Sequence, residues 1–259
     1  MGFDIFDKQG YSVDWMVAVA AGKIPGFSLL DKFGRNQAAG TIRVPMWYGG
    51  NVAYTFQTVP QGCRMASPDN TATQAMELEF LDANYGTTVV NATLTGTTPV
   101  SLGTFLRFNR GYTVEPGRVT GNLLDRVEIF GSGAVAGGTP SVAAMRMGIV
   151  PIPFNQTEQA IFTVPANQNL ILLGAYSGIN SSSGVSAVGM DTEIWVGNFN
   201  RPMRNKRTYG MTNLGNNPGV VPQGVPLFIA AKSDIELRVI CDATGLNVGG
   251  GFYGVLADV

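Results

Sequence analysis

Between Asp234 and Asp242 the chain alternates: Ile235, Leu237, Val239 and Cys241 are apolar, Asp234, Glu236, Arg238 and Asp242 are charged, and Ile240 is the exception. A two-residue period describes a β-strand with one apolar and one polar face. The glycines from Gly245 to Gly251 read as a turn, after which Phe252–Val259 returns as a closing strand. An apolar strand at a chain end is expected to be stitched into a sheet. The same signal recurs at Thr41–Tyr48, Val52–Val59, Ala75–Leu81, Thr87–Leu94, Phe105–Val114 and Asp125–Phe130. Turn formers separate these runs, among them Gly49-Gly50, Asp82–Gly86 and Pro116-Gly117. That spacing suits a sandwich.

Gly131–Pro140 is a glycine-rich break and the natural boundary. Strands are expected beyond it at Ala143–Val150, on both sides of a Pro165 corner within Ile161–Tyr176, and at Thr192–Gly197. Asn180–Gly184 and Gly210–Gly224 read as loops, with a turn at Asn198–Tyr209 between strands. The fold expected is mainly β: an N-terminal arm over residues 1–36, an antiparallel β-sandwich over 37–135, and a jelly-roll-like β-sandwich over 136–259.

The first 36 residues differ from the rest. Ser12 is placed to cap a short helix from Val13 to Ala21, stopped by Gly22 and Pro25. Gly26–Asn36 then reads as an irregular loop exposing aromatic and basic side chains. Either this segment folds against its own domain or it is an anchoring arm that docks on a neighbour through Trp15, Phe27, Lys32, Phe33 and Arg35.

Composition narrows the chemistry. Of 259 residues 34 are glycine, only 14% are charged, 45% are hydrophobic, and the net charge is −1. This excludes disorder and gives no field to draw the chain to nucleic acid or an anionic membrane. A surface poor in charge tends to associate, so a homo-oligomer is expected, a trimer by analogy with viral jelly rolls. No signal peptide or membrane span is recognised, which suggests assembly in a cytoplasm. Histidine is absent, removing the commonest general base and metal ligand. Cys63 and Cys241 are expected to be buried apolar residues. Three carboxylate pairs, Glu77 with Glu79, Asp191 with Glu193 and Asp234 with Glu236, stand two residues apart. On a strand such pairs share a face at glycosidase-like separation, but the solvated face of an amphipathic strand accounts for them. No cofactor, metal site or enzymatic activity is expected. Arg201, Arg204, Lys206 and Arg207, flanked by Phe199 and Tyr209, form the basic cluster, read as a hairpin tip or a subunit contact.

A series of motifs occurs in order: Lys32-Phe-Gly-Arg-Asn, Met46-Trp-Tyr-Gly-Gly, Phe80-Leu-Asp-Ala-Asn-Tyr-Gly, Leu94-Thr-Gly-Thr-Thr-Pro-Val, Phe105-Leu-Arg-Phe-Asn-Arg-Gly-Tyr and Phe162-Thr-Val-Pro-Ala. Asn200-Arg-Pro-Met-Arg and Lys232-Ser-Asp-Ile-Glu-Leu-Arg-Val complete it. Over about residues 30–259 the order resembles a family of structural proteins of tailed bacteriophages, many marine or aquatic. It departs at Arg201–Arg207, where the family hairpin is glycine-rich, and at Val164–Gln168, which lacks the family's glycine and lysine. The resemblance implies a virion component without catalytic residues, with other capsid or tail proteins as partners. It leaves two roles open: a module fixed to the head surface or tail by the arm, or an attachment module whose loops touch a host surface glycan.

Overall fold

The computed structural model describes residues 5–6, 12–114, 125–152, 154–180, 188–198, 200–213 and 219–259. Of these, strand makes up 61% and helix 4%, and the ladders between strands are antiparallel, as the alternation predicts. A short ladder of β1 (Ile5–Phe6) and β2 (Ser12–Val13) precedes α1 (Trp15–Ala20). Then come β3 (Phe27–Ala39), β4 (Val44–Pro45), β5 (Gln61–Ala66), β6 (Ala75–Leu81), β7 (Thr87–Thr93), β8 (Val100–Phe105), β9 (Arg107–Val114) and β10 (Val127–Phe130). The small β11 (Val135–Ala136) and β12 (Thr139–Pro140) pair with each other before β13 (Arg146–Val150) and β14 (Ile161–Thr163). The chain ends with β15 (Gln168–Asn180), β16 (Val188–Asn198), β17 (Arg201–Asn213), β18 (Gly219–Ile229), β19 (Ser233–Cys241) and β20 (Leu246–Asp258).

Two large buried clusters organise the described strands, beside a small third of Leu81, Tyr85 and Leu106. In the first, the sheet β18-β15-β20-β3 and the sheet β14-β19-β16-β17, which β4 joins at β19, share a core that includes Leu172, Ile194, Leu237 and Phe252. In the second, the sheets β13-β10-β5-β8 and β7-β6-β9 enclose Met76, Phe80, Phe108 and Ile129. Phe80 stacks on Phe105 with centroids 4.4 Å apart.

The sharing of strands corrects the expected boundaries. Gly131–Pro140 is a connection inside one sheet, because β10 and β13 on either side of it are paired. The chain starts the first core with β3 and β4, leaves it to build the second with β5–β10 and β13, and returns with β14.

The N-terminal expectation also changes. Asp14, not Ser12, caps the helix: its carboxylate accepts from Met16 N at 2.8 Å and Val17 N at 3.3 Å. Residues 27–36 are not an irregular loop or a free arm; they lie in β3, paired with β20 from Phe27 to Ala39. The inward positions of β3 after Leu30 are Lys32, Gly34 and Asn36, so the period-2 signal is hidden. Each has a specific reason. The Asn36 amide donates to Pro45 O at 3.0 Å and Gly50 O at 2.9 Å. A Cβ at Gly34 would run into the Met46 carbonyl and the Ala160 amide.

Two further loops resolve as strand. Gly249–Gly251 is not a turn but the middle of β20, paired with β15 and β3. A Cβ at Gly251 would collide with the Lys32 carbonyl, and Tyr176 Oη would stand 2.6 Å away. Residues 219–224, expected as loop, belong to β18, where Pro222 sits at a bulge opposite Gly174 on a sheet edge that tolerates proline. In the other direction, Val52–Val59 is not a strand but an extended strap between β4 and β5.

Candidate interaction sites

The polar face of β19 is not solvated, contrary to the expectation for its carboxylates. Asp234 is 4% exposed and Glu236 2%. Arg107, from β9, reaches across from the second core and binds Asp234 through Nε–Oδ1 and Nη2–Oδ2, both 2.9 Å. Thr163 Oγ1 donates to Asp234 at 2.6 Å, and Arg107 also donates to the carbonyls of Gln57 and Leu106. The Arg107 guanidinium lies 5.5 Å from the Phe56 ring and 5.7 Å from Tyr85. Such a pair is stable only when its remaining donors and acceptors are satisfied. Burial disfavours the charge on Arg107, but Asp234 outweighs it and the pKa lies above its ordinary value.

Asn109, two residues along β9, extends this joint. Its amide donates to Thr163 O at 3.1 Å and its Oδ1 accepts from Thr163 N at 3.0 Å, so one side chain pairs the edge of β14 as a strand would. Lys32 Nζ donates to Asn109 O from the opposite edge strand, β3. Burial, reinforced by Arg110, lowers the Lys32 pKa to about 7 against the pull of Glu79 and Asp31.

The same sheet face carries a second cluster. Arg43 grips Glu193 through two bonds of 2.6 and 2.8 Å, and Trp195 Nε1 donates to Glu193 at 2.6 Å. Arg238 lies 4.3 Å from the Trp195 ring centroid and binds Glu236 at 2.9 Å. Burial raises the pKa of Glu236, which Arg238 partly offsets. The carboxylate pairs are thus engaged separately: Glu77 with Tyr112, Glu193 with Arg43, Asp234 with Arg107 and Glu236 with Arg238. No two converge on an open cleft as a glycosidase pair would. Among the described residues no group of acidic and cysteine side chains has metal-binding geometry. Cys63 and Cys241 are buried and unbridged, and burial pushes both thiols up to about 11.

The outer face of β18-β15-β20-β3 has the opposite character. Cross-strand pairing lines up Phe228, Ile171, Val255 and Leu29, with Phe228 64% and Leu29 43% exposed. About six residues further along β3, roughly 20 Å at strand rise, a groove of ≈ 780 Å³ opens between Phe33, Arg35, Glu158, Tyr176 and Asn247 over Gly178 and Gly249. Burial raises the Glu158 pKa, and Arg35 acts against it.

The expected contact residues separate into three places. Trp15 packs edge-on against Phe27 at 5.5 Å, Lys32 is buried in the joint, and Phe33 and Arg35 line the groove. Arg201, Arg204, Lys206 and Arg207 lie on β17, the edge of its sheet; Arg201 pairs with Asn198 beside the β16–β17 turn and the other three run along the strand away from it, with Arg201, Arg204 and Lys206 exposed and Arg207 half-buried. Phe199, the Tyr209 side chain and residues 181–184 lie outside the described residues. Reading the sequence alone missed Glu158, Tyr176 and Asn247, and the one available signal was a glycine run inside an otherwise strand-like segment.

No family model and no curated protein matches the chain. Among solved structures, the VP2 subviral particle of infectious bursal disease virus covers 91% of this chain and 73% of its own, at 10% identity and a TM-score of 0.23. The Gx strain of that virus gives 90% and 72% coverage, 10% identity and a TM-score of 0.26. The Gt strain gives 95% and 78%, 11% identity and 0.24. These scores lie below the level at which two chains share a fold.

Proposed function

We propose that the chain is a non-enzymatic structural component of a tailed-bacteriophage virion, held on the capsid surface or tail by contacts that include self-association, most simply as a homotrimer. The motif series resembling phage structural proteins supports the class. The observation that carries the contact role is the outer face of the four-stranded sheet, where the uncharged row Phe228–Ile171–Val255–Leu29 is exposed at its two ends, Phe228 and Leu29, while Val255 between them is buried. Exposed apolar surface of this kind marks interaction sites. A net charge of −1 leaves little repulsion between copies of the chain, which makes a second copy the natural occupant.

Attachment to neighbours passes through this face, and residues 27–36 of the expected arm are integral to the sheet as part of β3. Gold-labelled antibody against the purified chain is expected to decorate the heads or tails of particles from the phage that encodes it. A chain that stays in the lysate and never co-sediments with particles would refute the reading.

A further inference from the structure

The groove over Gly249 has features that neither the joint nor the apolar row requires. Gly250, Gly251 and Gly254 are demanded by the fold, because a Cβ at each would collide with the backbone of a paired strand. Gly249 is not: the nearest atom to a Cβ there is Gly34 O, at 3.8 Å. A glycine inside a strand costs roughly 0.5–1 kcal/mol against alanine, and where packing does not require it, it often marks close approach by a ligand. Gly249 pairs with Gly178, so the groove floor at this point is bare backbone from two strands.

The walls supply complementary chemistry. Phe33 and Tyr176 are both paired with Gly251, which sets the two rings in one row across three strands. Across the floor, Arg35 Nε donates to Asn247 Oδ1 at 2.8 Å, which orients the Asn247 amide. Glu158 is 7% exposed and lines the groove, and its Oε2 has no hydrogen-bond partner among the described residues. A buried acceptor without a partner calls for a water or a ligand donor.

We propose that this groove binds a neutral saccharide, with a sugar ring lying on the Gly178–Gly249 floor beside Phe33 and Tyr176 and its hydroxyls engaging Arg35, Asn247 and Glu158. Hydroxyls both donate and accept, so they suit a wall that presents fixed donors beside an unfilled acceptor. Aromatic side chains in a mainly apolar cleft with a few placed polar groups fit a compact ligand, and ≈ 780 Å³ lies within the range of such sites. One cation and one carboxyl in the same groove offset each other, which favours a neutral ligand over an anion or a cation. The inference stands on the groove alone and is independent of the chain's place in a particle, so binding and co-sedimentation fail separately.

Saturation-transfer NMR of the full chain with maltotriose, mannotriose, chitotriose and lactose, and with sialyllactose as the charged comparison, tests it. Transfer to the ring protons of at least one neutral sugar is expected. It should fall by about tenfold in Gly249→Val, whose Cβ has room in the fold but whose methyls fill the floor, and in Phe33→Ala. Unchanged thermal unfolding of at least one of these variants shows that the site and not the fold was lost. Absence of transfer to every neutral sugar, transfer to sialyllactose alone, or equal transfer in a folded Gly249→Val chain would overturn the proposal.

Discussion

The two sheets that share the first core turn outer faces of opposite composition to their surroundings, and neither behaves as its composition suggests. The face of β14-β19-β16-β17 carries Asp234, Glu236, Glu193 and Arg238, yet its three carboxylates are nearly inaccessible, paired with Arg107, Arg238 and Arg43 respectively. The face of β18-β15-β20-β3 carries Leu29, Phe33, Phe228 and bare glycines, yet Phe228 and Leu29 remain exposed. Polar alternation identifies a two-faced strand, but it does not say which face meets water. The charged face is the one the chain uses internally, to join its two cores. The apolar face is the one left for something else.

Stripping an edge from the open sheet should have the largest effect. Deleting residues 1–36 removes most of β3, exposes β20 along its length and takes Leu30 from the core. The truncated chain is expected to lose its cooperative thermal transition in calorimetry. A truncation that unfolds like the full chain would mean β3 is dispensable.

Breaking the charged face from within comes next. Asp234→Ala leaves Arg107 buried without its counter-ion and should cost about 3–5 kcal/mol in urea unfolding. Adding Arg107→Met should restore part of that, since the stranded charge is then gone. Equal stability of Asp234→Ala and the full chain would place the joint in solvent.

A smaller effect distinguishes the joint by pH. Lys32 has a folded pKa of about 7 against an ordinary 10.5, so between these values the unfolded chain binds more protons and stability rises with pH. Above 9 the two thiols, raised to about 11, bind more protons folded than unfolded and oppose that rise. The clean window is therefore pH 7 to 9, where stability should climb in the full chain and the slope should flatten in Lys32→Met. A slope that persists in the variant would assign it to other groups. At the accessible rim, Arg43→Ala should cost only up to about 1 kcal/mol, because the arginine is half in solvent.

The strands that were legible in the sequence are those whose inward positions are apolar. Ala75–Leu81 coincides with β6, and the alternation from Asp234 falls on β19. β3 escaped because Lys32, Gly34 and Asn36 point inward, each to a polar partner or a close backbone that only the tertiary fold supplies. The glycines of β20 looked like a turn for a related reason: the Tyr176 ring and neighbouring strands occupy the side-chain space of Gly250, Gly251 and Gly254. Arg107 and Asn109 stand in a recognised strand, but their partners Asp234 and Thr163 lie 127 and 54 residues away. The groove joins residues from β3, β15, β20 and the segment before β14, so no local pattern could announce it.

The contact role of the open face is tested most directly by the mass of the purified chain in light scattering, beside the variant Phe228→Asp. Phe228 is 64% exposed, so a charge there should leave the fold intact while spoiling the apolar row. The full chain is expected to form a particle of three times 27.4 kDa and the variant to stay at 27.4 kDa. A full chain that is monomeric at micromolar concentration, or a variant that assembles as well as the full chain, would contradict that contact role.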